Sequence, residues 1–108
     1  MNSKRKGSAG ERELCEILRQ AWYESAHRND QRYVGGVDNP DVAAIPGYHI
    51  EVKRTERLSL YEAYEQATRD ANGHAVPVVM HRRSRKPWLC VMKLSDWLKL
   101  VGTSPARG

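Results

Sequence analysis

Glu51 and Lys53 fall on the alternating run Tyr48-His49-Ile50-Glu51-Val52-Lys53-Arg54. Tyr48, Ile50 and Val52 take one face of it, and His49, Glu51 and Lys53 the other. The pattern is that of a half-buried strand. Residues two apart on a strand share a face and lie roughly 7 Å from each other, so the carboxylate and the ammonium enter one cleft at different depths. Upstream, Asn39-Pro40-Asp41-Val42-Ala43-Ala44-Ile45 reads as a second strand, entered through a proline and left through the Pro46-Gly47 turn, which is short enough for a hairpin. Pairing the two runs brings Asp41 toward Glu51, and two like charges at close range repel unless a cation sits between them. Mg²⁺ fits there, because it prefers hard oxygen ligands, often takes only one or two protein carboxylates, and keeps its other positions for water and phosphate oxygen. Such a set suits hydrolysis of a phosphodiester.

A third carboxylate comes from a helix. Leu14, Ile17, Leu18, Ala21 and Trp22 recur at helical spacing and predict the buried stripe of a first helix. Glu11 lies on the extension of that stripe, whereas Arg12, Glu13 and Glu16 lie off it. A carboxylate aimed at a core needs a partner or a cation, although an acid in the first helical turn is also favoured by the helix dipole. Each signal has an ordinary reading when taken singly: Glu-x-Lys on a strand is commonly a solvated face, and Asp after Pro is commonly a turn. The combination is what points to chemistry.

The segments Lys6-Gly7-Ser8-Ala9-Gly10-Glu11-Arg12-Glu13-Leu14, Asp41-Val42-Ala43-Ala44 and Ile50-Glu51-Val52-Lys53 resemble the PD-(D/E)XK nuclease superfamily. Within it they are most similar to the Holliday junction resolvases of the archaeal Hjc type and their phage relatives, over about Lys4 to Val101. The resemblance implies that Glu11, Asp41 and Glu51 ligate one or two Mg²⁺ ions, with Mn²⁺ as the alternative metal and the Val52 carbonyl as an extra ligand. It also implies that Lys53 is the motif lysine and that Gln66, on the following helix, lies near the active site. One departure stands out. The archaeal members carry a Gly-Ser pair shortly before the motif aspartate, and here that loop reads Gly35-Gly36-Val37-Asp38-Asn39-Pro40. Asp38 competes with Asp41 for the ligand position; Asp41 is preferred because apolar strand residues follow it, while Asp38 sits among turn formers.

The 108 residues carry a net charge of +5, and a pI near 9.5 points to a polyanionic partner. Lys4-Arg5-Lys6 precede the expected first helix, and His81-Arg82-Arg83-Ser84-Arg85-Lys86 separate two apolar runs. Both are expected to be flexible basic segments that contact phosphates without reading sequence. Arg54 and Arg57, with Arg69, add cations near the cleft. No aromatic-rich stacking motif of the single-strand-binding or RNA-binding kind occurs, so duplex backbone contact is favoured. The chain has no long apolar run and no signal-like start, so the expectation is an intracellular, cytoplasmic protein without membrane or organic cofactor. Cys15 and Cys90 read as reduced core thiols, and His49 as a structural or surface residue.

The remaining elements predict an α/β fold: a restriction-endonuclease-like domain over residues 1–101, with a mixed central β-sheet flanked by helices in the order α-β-β-β-α-β-β-α. Residues 102–108 are expected to form a flexible tail. Gln31–Val34 is the expected first strand. Ser59 and Glu62 suggest a capping box, followed by a helix with the stripe Leu60, Ala63, Tyr64, Ala67 and Ala71, ending near Gly73. Strands are expected from Ala75 to Met80, with Pro77 marking an edge, and from Trp88 to Met92, with Ser95 capping a last helix through Leu100. The leading functional expectation is a metal-dependent endonuclease that resolves four-way DNA junctions by paired nicks as a homodimer, with contact drawn from Tyr61, Tyr64, Trp88 or Trp97. The alternatives are a nuclease of the same superfamily acting on flaps, nicks or ordinary duplex, and a noncatalytic DNA-binding protein that keeps the nuclease fold.

Overall fold

The computed structural model describes residues 3–21, 27–28, 42–43 and 45–102. The elements are α1 (Ser3–Gln20), β1 (His27–Arg28), β2 (Val42–Ala43), β3 (Tyr48–Arg54), α2 (Leu60–Ala71), β4 (Val76–Arg82), β5 (Leu89–Val91) and α3 (Leu94–Gly102). The order is the one the periodicities predict. Among the described residues the first strand falls on His27–Arg28; residues 31–34, 38 and 41 and the tail from 103 lie outside them.

The strands form one mixed sheet in the order β1-β2-β3-β4-β5. β2 runs antiparallel to β3 with Val42 opposite Ile50, and the turn between them closes through the Tyr48 amide donating to the Ile45 carbonyl at 3.1 Å. β3 and β4 are parallel over their full lengths, from Tyr48 opposite Val76 to Arg54 opposite Arg82. Parallel neighbours need a long crossover, and α2 supplies it.

The alternation of β3 separates two layers. Ile50 and Val52 join Leu14, Cys15 and Val42 in the core beneath α1, with Leu18, Ile45, Met80 and Trp88 packed at its margin. Leu14 and Cys15 of the expected α1 stripe are buried and Leu18 packs at the margin, but Ile17 is exposed. The helix lies very close to β3 at Gly10, where an added Cβ would stand 2.6 Å from the Arg54 Cβ. On the opposite face, Ala63, Ala67 and Ala71 of α2 are buried against the sheet. Leu60, at the start of the expected stripe, is exposed.

Several local expectations are corrected. Lys4, Arg5 and Lys6 belong to α1 itself, which begins at Ser3. Ser59 occupies the N-cap of α2 but makes no side-chain cap bond, so no capping box forms. The helix ends near Gly73 as expected, on Asn72, which adopts the left-handed conformation at φ 52° and donates to the Arg69 and Thr68 carbonyls. α3 starts at Leu94, with the Asp96 and Trp97 amides donating to the Lys93 carbonyl, so Lys93 rather than Ser95 precedes it.

Pro77 does not mark an edge strand, because β4 pairs with both β3 and β5. β5 covers β4 only from Val79 to His81, however, leaving Pro77 beyond that ladder. There the Tyr64 hydroxyl stands in for a strand, donating to the Pro77 carbonyl at 2.9 Å and accepting the Lys93 amide at 3.0 Å. Cys90 is exposed rather than part of the core, because β5 is an outer strand. Desolvation still pushes its thiol pKa up.

Candidate active site

Three side chains of β3 face α2. His49 and Glu51 are 2% and 5% exposed, and Lys53 is half-buried. The His49 Nε2 lies 2.8 Å from the Glu51 Oε1. When the carboxylate is ionised it can only accept, and the ring is then the donor. The Lys53 Nζ donates to the Gln66 Oε1 of α2 at 3.4 Å. One helical turn further on, Asp70 closes on the pair. Ligand-type atoms of His49, Glu51 and Asp70 all lie within 4.8 Å of one another. The structure therefore brings together Glu51, Lys53 and Gln66, and adds His49 and Asp70, which sequence reasoning did not select. The signal for His49 was the alternation that places it on the Glu51 face. Asp70 was legible only as the i+4 neighbour of Gln66.

Glu11 is half-buried on the α1 face that carries Leu14, Cys15 and Leu18. The next acid, Glu13, ties α1 to the far end of the sheet. It accepts from the Arg82 Nη1 at 2.8 Å and from the Trp88 Nε1 at 2.6 Å. Asp41 lies outside the described residues. It immediately precedes Val42, the partner of Ile50.

The expected DNA-contacting cations divide into two groups. Arg82 is held by Glu13 and by the Lys86 carbonyl, and Arg54 donates to Glu56 at 3.0 Å and to the Ser84 hydroxyl at 3.3 Å. Arg57, Arg83, Arg85 and Lys86 are exposed. The last three sit on the β4–β5 turn, which the Lys86 amide closes by donating to the Arg83 carbonyl at 3.1 Å, with Arg85 left-handed at φ 63°. The basic stretch is thus an ordered hairpin turn. Beside it runs a groove of about 610 Å³ lined by Leu58, Leu60, Leu89 and Val91, with Arg57, Arg83 and Lys86 among its cations. Neither Glu51 nor Lys53 lines the groove. His81 links the two regions: it lines the groove and donates from its Nδ1 to the Lys53 carbonyl at 2.8 Å.

The family described as "Phage putative PDDEXK endonuclease" matches residues 2–106. The chain belongs to this family. No curated protein matches it. Among solved structures, this PDDEXK endonuclease is similar to Archaeoglobus fulgidus Hjc, a Holliday junction resolvase from an archaeal hyperthermophile, with a TM-score of 0.57 at 29% identity over 81% of this chain and 72% of that one. The resemblance read from the motifs is upheld, and so is the small α/β fold. For a nuclease of this type, which depends on metal, the buried Glu51 and the neighbouring Asp70, with the His49 imidazole beside them, offer carboxylate oxygens that a divalent ion can use. No helix of the described residues is long and apolar enough to cross a membrane.

Proposed function

We propose that this PDDEXK endonuclease is a Mg²⁺-dependent, structure-selective DNA nuclease that resolves four-way junctions by paired nicks. The observation that carries the reading is the placement of Glu51 and Lys53 on one face of β3, with Lys53 against Gln66. The similarity in fold to the archaeal resolvase supports the choice of junctions.

In this reading Glu11, Asp41, Glu51 and the Val52 carbonyl hold the ion. Bound there, Mg²⁺ supplies an activated water and neutralises charge on the scissile phosphate. Lys53 orients the attacking water and stabilises charge developing on the phosphate, while Gln66 limits the positions its ammonium can take. The exposed Arg57, Arg83, Arg85 and Lys86, with Lys4, Arg5 and Lys6 of α1, contact the phosphate backbone.

Symmetric incision needs two active sites, which a two-fold homodimer provides. The apolar surface of α3 supports that assembly: Leu94, Trp97 and Leu98 are all exposed, and none of the helix's residues is buried. Tyr64 and Trp88 are instead used inside the fold, bonded to Pro77 and Glu13. Sedimentation of wild type and a Leu98→Asp variant tests the assembly. Dimer for the first and monomer for the second is the expected result, and a monomeric wild type on junction DNA would oppose paired resolution.

The family's phage description favours a second reading, in which the substrate is a flap, nick or ordinary duplex met in phage DNA processing. A labelled four-way junction and a linear duplex of equal length, each incubated with Mg²⁺ and with chelator, separate the two. Metal-dependent paired nicks in the junction alone are expected. Equal cutting of both substrates would select the second reading, and binding without cutting would point to a noncatalytic protein.

A further inference from the structure

We infer that His49 is a positioning residue for the metal-binding carboxylate, holding Glu51 in a single orientation through the Nε2–H···Oε1 bond. The inference rests on the reading that Glu51 is a metal ligand. Three observations carry it. First, the contact is not a default of strand geometry: side chains two apart on one face start roughly 7 Å from each other, yet these ring and carboxylate atoms meet at 2.8 Å. Second, both side chains are almost completely removed from water, at 2% and 6% exposure, where a carboxylate without donors is strongly disfavoured. Third, Asp70 brings a second carboxylate within 4.8 Å of the pair. A donor from His49 therefore offsets repulsion that would turn Glu51 away from Asp70.

A ring nitrogen that gives its proton to Glu51 has no lone pair there for a metal, so His49 acts through the carboxylate rather than as a ligand at that atom. An ionised carboxylate has roughly four acceptor positions, so a bond from the imidazole does not by itself exclude an ion. Hydrogen bonds to ligating groups commonly contribute about 10–100-fold to metal affinity or activity.

The test uses the full chain and Mn²⁺ as the probe, with free Mn²⁺ read by its paramagnetic resonance signal. The Mg²⁺ concentration giving half-maximal cleavage and the limiting rate are measured in parallel. His49→Leu is expected to weaken Mn²⁺ binding about 10–100-fold and to raise the half-saturating Mg²⁺ by a similar factor, with most of the limiting rate retained at saturating metal. His49→Gln, whose amide N–H can reach the same oxygen, is expected to restore binding close to wild type. Wild-type Mn²⁺ affinity in His49→Leu overturns the inference. So does a His49→Gln variant that folds and yet binds as poorly as His49→Leu, because the imidazole would then be needed for itself. If His49→Leu fails to melt cooperatively without metal, His49→Asn replaces it, since its shorter amide does not reach Glu51 and it should bind as weakly. Glu51→Gln separates the two levels. Undiminished Mn²⁺ binding in that variant removes Glu51 as a ligand, whereas loss there with no effect in His49→Leu removes only the positioning role.

Discussion

Lys53 on β3 and Gln66 on α2 are joined by a hydrogen bond from the lysine Nζ to the glutamine Oε1 at 3.4 Å, which couples the motif strand to the helix that crosses over it. The bond is long for an N–H···O contact, so it guides the ammonium rather than locking it. Replacing Lys53 with Ala should lower the single-turnover cleavage rate by about 10²–10³-fold, the usual loss for one charge-stabilising donor, with junction binding in a gel-shift assay unchanged. Gln66→Ala should produce a clearly smaller loss. Equal losses in the two variants would mean that Gln66 meets substrate directly.

The two classes of arginine should separate by assay. Arg83→Ala and Arg85→Ala should weaken DNA binding and reduce the slope of log affinity against log salt by about 0.9 for each phosphate no longer neutralised, leaving the melting temperature near wild type. Arg82→Ala removes the partner of Glu13, whose carboxylate bridges α1 to β4 and Trp88. It should lower the melting temperature first. A salt slope unchanged in the Arg83 and Arg85 variants would exclude the hairpin turn from the DNA interface.

Gly10→Ala tests the closeness of α1 to the sheet. The new Cβ would stand 2.6 Å from the Arg54 Cβ, and that atom cannot swing aside as the end of a flexible side chain could. The helix or strand must shift, at a cost of about 1–3 kcal/mol. Urea unfolding should show the loss as a lower midpoint with an unchanged slope. A wild-type midpoint would mean that the two elements separate freely.

Tyr64→Phe removes the hydroxyl that joins Pro77 to Lys93 and should cost about 1–3 kcal/mol, because a polar partner is left unsatisfied. The phenol pKa is raised from its ordinary value of 10.0. Burial contributes most; the Lys93 amide opposes it, and charges on Asp96 and Cys90 add to it. A raised acid favours its neutral form in the folded state. Its contribution to stability is therefore fully present below the unfolded pKa, near pH 10, and is lost as pH rises through the folded value. Urea midpoints measured on both sides of pH 10 should fall more steeply for wild type than for Tyr64→Phe. Parallel curves would show that Tyr64 does not report this transition.

The element order and the motif strand were legible in the chain itself, because both rest on local periodicity. The two-residue alternation of Tyr48–Arg54 placed Glu51 and Lys53 on one face before any contact was known, and the helical spacing of Ala63, Ala67 and Ala71 marked the face of α2 that meets the sheet. Glycine and proline punctuation set the β2–β3 turn. What stayed illegible was every decision made by a distant segment. Pro77 reads as an edge residue locally, yet the Tyr64 hydroxyl supplies the missing strand contact from 13 residues away. Arg82 and Arg54 read as phosphate cations, yet Glu13 and Glu56 engage them. His49 reads locally as a structural or surface residue; the crossover of α2 covers it, and burial turns a strand neighbour into the hydrogen-bond partner of Glu51. Periodicity determines which face a side chain takes, because it is a property of one backbone segment. Whether that face is dry, and which charges meet on it, depends on where the next helix packs, and only the tertiary structure decides that.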